Sequence, residues 1–156
     1  MKYYIGEYWA MMNSSNSDTR EEGKIKWDET AKEYGPYFRL IRDKLPKKFM
    51  KEFDRNSWFH DFMFDSINIA NTGNKTATVE FVIAHAPITY KIVFSGVTGF
   101  TLNVPNTLQC WSFGKLTWGY VEFELHDDKT WTISILCDID CEVEIHFSKI
   151  GIEKLN

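Results

Sequence analysis

Glu122-Phe123-Glu124-Leu125-His126 recurs twenty residues later as Glu142-Val143-Glu144-Ile145-His146. In both stretches polar and apolar residues alternate with period two, so each reads as a strand with one dry face and one wet face. Between them Trp131, Ile133, Ile135 and Cys137 repeat the alternation, and three antiparallel strands are expected. If the apolar sets share one face, Glu122, Glu124, His126, Thr132, Ser134, Glu142, Glu144 and His146 share the other. A three-residue turn at 138–140 would pair Cys137 with Cys141 and Trp131 with Phe147. A four-residue loop at 127–130 would instead set His126 against Trp131 and mix polar with apolar. A bulge or an odd-length loop is therefore expected near Asp127–Thr130, because a slip of one residue flips a whole strand.

Outward from this core the period-two reading extends back to Trp58. Strands are expected near 61–70, 77–86, 88–96, 98–104, 116–126, 130–137 and 141–149, with Ile150, Ile152 and Leu155 extending the last one. Asn71-Thr72-Gly73-Asn74, Ala86-Pro87 and Pro105-Asn106 read as turns. Before Trp58 the period is 3.6. Tyr4, Ile5, Tyr8, Trp9 and Met12 predict a short helix, and residues 13–18 a polar loop. Trp27, Ala31, Tyr34, Phe38, Ile41 and Leu45 form one long apolar stripe. Gly35-Pro36 should kink or split that helix, and Pro46 should open another with Phe49, Met50 and Phe53 inward. The fold class is α+β: N-terminal helices (1–56) packed on a twisted antiparallel sheet or partly open β-barrel (57–156), as a single domain.

Composition narrows the function. The chain has 156 residues, 44% hydrophobic, 26% charged and 16% aromatic, which are globular values with a rich supply of core rings. No run approaches the ~18 apolar residues of a membrane span, no signal peptide is evident, and a cytoplasmic location is expected. Cys110, Cys137 and Cys141 lack CxxC spacing, and buried thiols in a reducing compartment are the simplest reading, with a Cys137–Cys141 cross-strand bond as the alternative. The net charge of −4 is uneven: residues 1–119 carry +2 and residues 120–156 carry −6. Nucleic acid is a poor partner for such a chain, since it needs a basic face. The basic stretch Arg39–Arg55 reads as solvated helix faces.

No segment specifies a reaction. Gly-rich phosphate loops, a nucleophile elbow and zinc-spaced Cys/His clusters are all missing from the sequence, and no catalytic residue or cofactor is expected. The carboxylates and imidazoles of the wet face are metal-ligand types. The two flanking strands would stand about 9–10 Å apart, which argues against one tight metal site. His60-Asp61 reads as a cap at the helix-to-strand junction, and His85 as a strand-end residue.

The opening Met1-Lys2-Tyr3-Tyr4 with Trp9 and Met12, then Leu45-Pro46, His60-Asp61 before a strand, and Trp118-Gly119-Tyr120-Val121-Glu122 together resemble a group of small uncharacterised bacterial proteins. That group is a domain-of-unknown-function family similar to some immunity proteins of polymorphic toxin systems. The resemblance implies a helical cap on a β-rich domain and carries no functional residues with it. Two functions are then expected in order. The first is a non-enzymatic protein-binding module, an immunity-type inhibitor that docks a basic toxin through Glu122, Glu124, His126, Glu142, Glu144 and His146. The second is a ligand-binding β-module with a groove formed by Trp111, Phe113, Trp118 and Tyr120.

Overall fold

A computed structural model describes residues 1–73, 75–104, 116–138 and 141–156. Among the described residues there are three α-helices, α1 (Gly6–Met12), α2 (Ser17–Ile41) and α3 (Lys47–Arg55). Nine strands follow: β1 (Phe62–Gly73), β2 (Thr76–His85), β3 (Ile88–Val97), β4 (Gly99–Asn103), β5 (Thr117–Trp118), β6 (Tyr120–Leu125), β7 (Trp131–Asp138), β8 (Cys141–Phe147) and β9 (Lys149–Lys154). The fold is α+β, and the period of the apolar pattern changes where the helices end.

Asn16 starts α2. Its side-chain oxygen accepts from the Asp18 and Thr19 N–H groups, donors that a first helical turn otherwise leaves unpaired. The expected break at Gly35-Pro36 does not occur, and α2 runs through Pro36 as one helix of 25 residues. Proline removes one N–H donor and crowds the preceding turn. Here Tyr34 and Phe38, on either side of it, are both buried in the core and hold the helix on its course. The helix ends in a 3-10 turn at Arg42–Lys44, and α3 follows Pro46 with Phe49, Met50 and Phe53 buried.

The strands form two antiparallel sheets, ordered β5-β1-β2-β3-β9 and β4-β8-β7-β6. The chain passes between them at shared corners, so the first sheet curls into a half-barrel against the second. At one corner β3 leads into β4 and β8 into β9, tied by Thr98 N–H to the His146 carbonyl and Ser148 N–H to the Ser95 carbonyl. The tail therefore does not extend β8. It becomes β9, pairs with β3 and buries Ile150 and Ile152.

The stretch expected as one strand over 116–126 breaks in the same way at Gly119. Trp118 pairs with Phe62 of β1, and Tyr120 pairs with Leu136 of β7. A Cβ on Gly119 would stand 2.3 Å from the Leu136 carbonyl oxygen. Only glycine lets the chain turn this corner so close to β7.

The register of β6, β7 and β8 follows the alternation. Leu125 faces Trp131, and Trp131 faces Phe147. The first hairpin has the odd-length connection, with His126 N–H donating to the Thr130 carbonyl. Within it the Asp127 carboxylate accepts from the Lys129 and Thr130 N–H groups, which holds its carboxyl below the usual range. The second hairpin corrects the expected pairing of Cys137 with Cys141. Asp138 faces Cys141, and Cys137 is the extra residue of a bulge that restores Ile135 opposite Val143. Residues 139–140 of that turn, Cys110, Asn74 and the Pro105-Asn106 turn lie outside the described residues.

Helices and sheets share one core cluster. Tyr34, Phe38, Phe49 and Phe53 meet Phe59, Phe81, Phe94, Trp118, Phe123 and Phe147 within it. The open edge of β6 is closed by α2: Phe123 N–H donates to the Tyr34 hydroxyl at 2.7 Å and Leu125 N–H to the Tyr37 hydroxyl at 3.1 Å. Two tyrosines one helical turn apart thus satisfy alternate donors of a strand edge. No helix among the described residues is long and apolar enough to cross a membrane.

Candidate functional site

The outer face of the second sheet carries the residues that the alternation assigned to it. Glu124, Thr132 and His146 stand abreast, as do Glu122, Ser134 and Glu144. It is not an open acidic surface, because the chain's first residues cover part of it. The backbone N–H groups of Lys2, Tyr3 and Tyr4 donate to the Glu122 carboxylate at 2.9, 2.7 and 2.5 Å. Glu122 is only 7% exposed, which corrects its expected place on a docking surface. Period two puts it on the wet face but says nothing of a distant segment returning to cover it.

The rest of this face is partly committed as well. The Met1 ammonium lies 3.5 Å from Glu142. A row of hydrogen bonds runs from His126 Nε2 to Thr132 Oγ1 (2.6 Å), on to His146 Nδ1 (2.8 Å), and from His146 Nε2 to Glu144 (3.1 Å). The order hydroxyl, imidazole, carboxylate is that of an activated nucleophile. Thr132 is buried, however, and β7 is paired on both sides, so its strand offers no N–H groups for an oxyanion. Among the described residues no group of three His, Cys, Asp or Glu side chains is placed to hold a metal ion.

A cavity of about 650 Å³ lies where the N-terminal segment, the connection from α3 to β1, the β2–β3 turn and the Gly119 corner meet. Tyr4, Trp58, Phe62, Tyr120 and Val121 give it apolar walls, and Asn56, His60, Asp61 and His85 bring polar groups to them. The connection from α3 is bent in an unusual way. Ser57, Trp58, Phe59 and Asp61 have φ of 50, 61, 62 and 70°, a region that costs non-glycine residues roughly 1–2 kcal/mol each. Such runs persist where the surroundings over-determine them, and they concentrate at functional sites.

Three contacts hold this one. Phe59 is fully buried against Phe53 and Trp118, Trp58 stacks on Phe53 at 5.6 Å, and Asp61 N–H donates to the Trp118 carbonyl. With Phe59 anchored inward, Trp58, His60 and Asp61 line the cavity.

Two of these polar groups, His60 and Asp61, pair with each other. His60 Nδ1 lies 3.1 Å from Asp61 Oδ1, and the His60 ring meets Tyr120 edge to face at 5.0 Å. Tyr120 stacks in turn on Tyr4 at 5.4 Å. Burial raises the Tyr4 pKa, helped by the nearby charge of Glu122, so its hydroxyl stays a proton donor. Behind Asn56, which donates to the Tyr90 hydroxyl at 3.1 Å, Tyr90 donates to the Glu52 carboxylate at 2.6 Å. A site of this kind offers shape and a few fixed polar contacts to a small molecule.

The expected aromatic groove is only partly found here. Trp111 and Phe113 lie outside the described residues. Trp118 is corrected to the core: it is 0% exposed, packed on Phe59 and Phe64, because the Gly119 corner separates it from Tyr120. Its indole N–H has no hydrogen-bond partner among the described residues. Of the two described residues of this set, Tyr120 lines the cavity and Trp118 does not. His60 and Asp61 stand at the helix-to-strand junction as expected but face the cavity. Tyr4, Trp58 and His85 carried no signal of a site, since Tyr4 reads as part of a helical stripe, Trp58 as the point where the apolar period changes and His85 as a strand end. The chain matches no known protein-family model, and no curated protein matches it.

Proposed function

We propose that this chain is a cytoplasmic, non-enzymatic binding module that holds a small organic molecule in the cavity bounded by Tyr4, Trp58 and Tyr120. The observation that supports this best is the cavity itself. Its volume of about 650 Å³ falls in the ~300–1,000 Å³ range of small-molecule sites, and its wall is mainly apolar with convergent polar groups. The left-handed residues Ser57, Trp58, Phe59 and Asp61 that shape it are a second, independent pointer to function.

The test is a fragment screen of mixed charge, read by thermal shift on the wild-type protein and on Ile88→Trp. Ile88 is half-buried and lines the cavity, so a tryptophan there fills space without altering the helices. Hits that raise the wild-type Tm and leave Ile88→Trp unmoved are expected. Hits that act equally on both proteins, or a screen with none, would count against the reading.

Docking of a basic toxin, the role suggested by the resemblance to immunity proteins, is the second reading. It is supported by Glu124, which is exposed, and by Glu142 and Glu144, which are half-buried. It is weakened because Glu122 serves the N-terminal segment, Glu142 faces the Met1 ammonium and Glu144 meets His146.

A further inference from the structure

We infer that the molecule held in the cavity is an organic cation, an alkylammonium group seated among Tyr4, Trp58 and Tyr120 beside Asp61; this rests on the cavity being a binding site. The charges of the wall come first. Among the described residues lining the cavity, Asp61 carries the only permanent charge, and none is Lys or Arg. Asp61 is 71% exposed, and its one ion-pair partner there is His60. His60 Nδ1 stands 3.1 Å from that carboxylate, within hydrogen-bond distance.

The wall itself is the second argument. Tyr4, Trp58 and Tyr120 are electron-rich rings with one face each already stacked, Tyr4 on Tyr120 and Trp58 on Phe53, and a cation is attracted to a face that such a ring leaves uncovered. The field behind the wall has the same sign. Glu122 lies close enough to the Tyr4 phenol to help hold its proton. Glu52 acts likewise on Tyr90, where Arg55 partly offsets it. An anionic ligand would meet these carboxylates with no described Lys or Arg in the wall to answer it. A small hydrated metal ion needs several oxygen ligands, and this wall offers one carboxylate among rings. A bulky, weakly hydrated ammonium fits both the rings and the charge, and about 650 Å³ leaves room for the rest of the molecule.

Three probes of one shape and different charge separate these terms: choline, 3,3-dimethylbutan-1-ol and 3,3-dimethylbutanoate. Each is titrated at millimolar concentration into the wild-type protein and into Asp61→Asn, with binding followed by NMR at the cavity residues. Asparagine keeps the size of the side chain and tolerates the φ of 70° at this position. Choline should bind about tenfold more tightly than the alcohol, and the carboxylate more weakly than both. Asp61→Asn should reduce choline's advantage over the alcohol several-fold, with the remainder left to the rings.

Equal binding of choline and the alcohol, or tightest binding of the carboxylate, would overturn the inference while leaving the cavity a binding site. Silence of the cavity resonances toward all three would also overturn it, and the fragment screen would then judge the binding reading separately. Should Asp61→Asn fail to fold, the ranking of the three probes on the wild-type protein decides alone.

Discussion

Glu122 and Glu124 project from the same face of β6, yet their surroundings differ sharply. Glu124 is exposed, whereas Glu122 accepts three backbone N–H groups from residues 2–4. Glu124→Lys should change stability by no more than ~0.5 kcal/mol, as surface substitutions usually do. Glu122→Lys should cost about 3 kcal/mol or more, since it strands three donors and brings in an unpaired charge. Chemical denaturation of the two variants checks the contrast, and equal effects would deny the clasp on the N-terminal segment.

Tyr34 gives a second residue-scale expectation. Tyr34→Phe removes the acceptor of the buried Phe123 N–H and should cost about 1–3 kcal/mol. Burial also pushes the Tyr34 phenol far up. Its contribution is therefore complete below the ordinary tyrosine pKa of about 10 and is lost as pH rises from there toward the folded-state value. Wild-type stability should fall above roughly pH 10, and part of that fall should vanish in Tyr34→Phe. An identical alkaline decline in both proteins would place its origin elsewhere.

Among the elements, β6, β7 and β8 were the most legible, because strict alternation leaves one register in which Val121, Phe123, Trp131, Ile133, Val143 and Phe147 share a face. Trp131 and Phe147 are buried partners in that register. Trp131→Ala should cost roughly 3–5 kcal/mol in a denaturant titration, and a loss under ~1 kcal/mol would mean the pairing is wrong. What the alternation could not show are the places where tertiary contacts override local rules. Pro36 is a helix breaker by propensity, but Tyr34 and Phe38 are anchored beside it. Gly119 and Ser148 interrupt runs that read as continuous strands: the sheets exchange chains there, and the buried positions change phase, from Leu116 and Trp118 to Val121 and Phe123 and from Ile145 and Phe147 to Ile150 and Ile152. Cys137 is set out of register by a bulge, and one extra residue leaves no compositional trace.

At the scale of the molecule, the cavity draws on the N-terminal segment, the 56–62 connection, the β2–β3 turn and the Gly119 corner. Tyr4 and Tyr120 are 116 positions apart in the chain and stack where Glu122 holds the backbone of residues 2–4 and Trp27 and Tyr34 pack on Tyr4. That is why the acidic strand face stood out in the sequence and the cavity did not. Periodicity reports which face of an element a residue occupies, whereas this site lies where elements meet. The most direct measurement is a two-dimensional amide NMR map of the strongest fragment hits on the wild-type protein and Ile88→Trp. Shifts should cluster at Trp58, His60, Asp61 and Tyr120 and disappear in Ile88→Trp while the remaining spectrum is preserved. Shifts confined to the outer face of β6, β7 and β8, or shifts at the cavity that persist in Ile88→Trp, would contradict the assignment of function to this cavity.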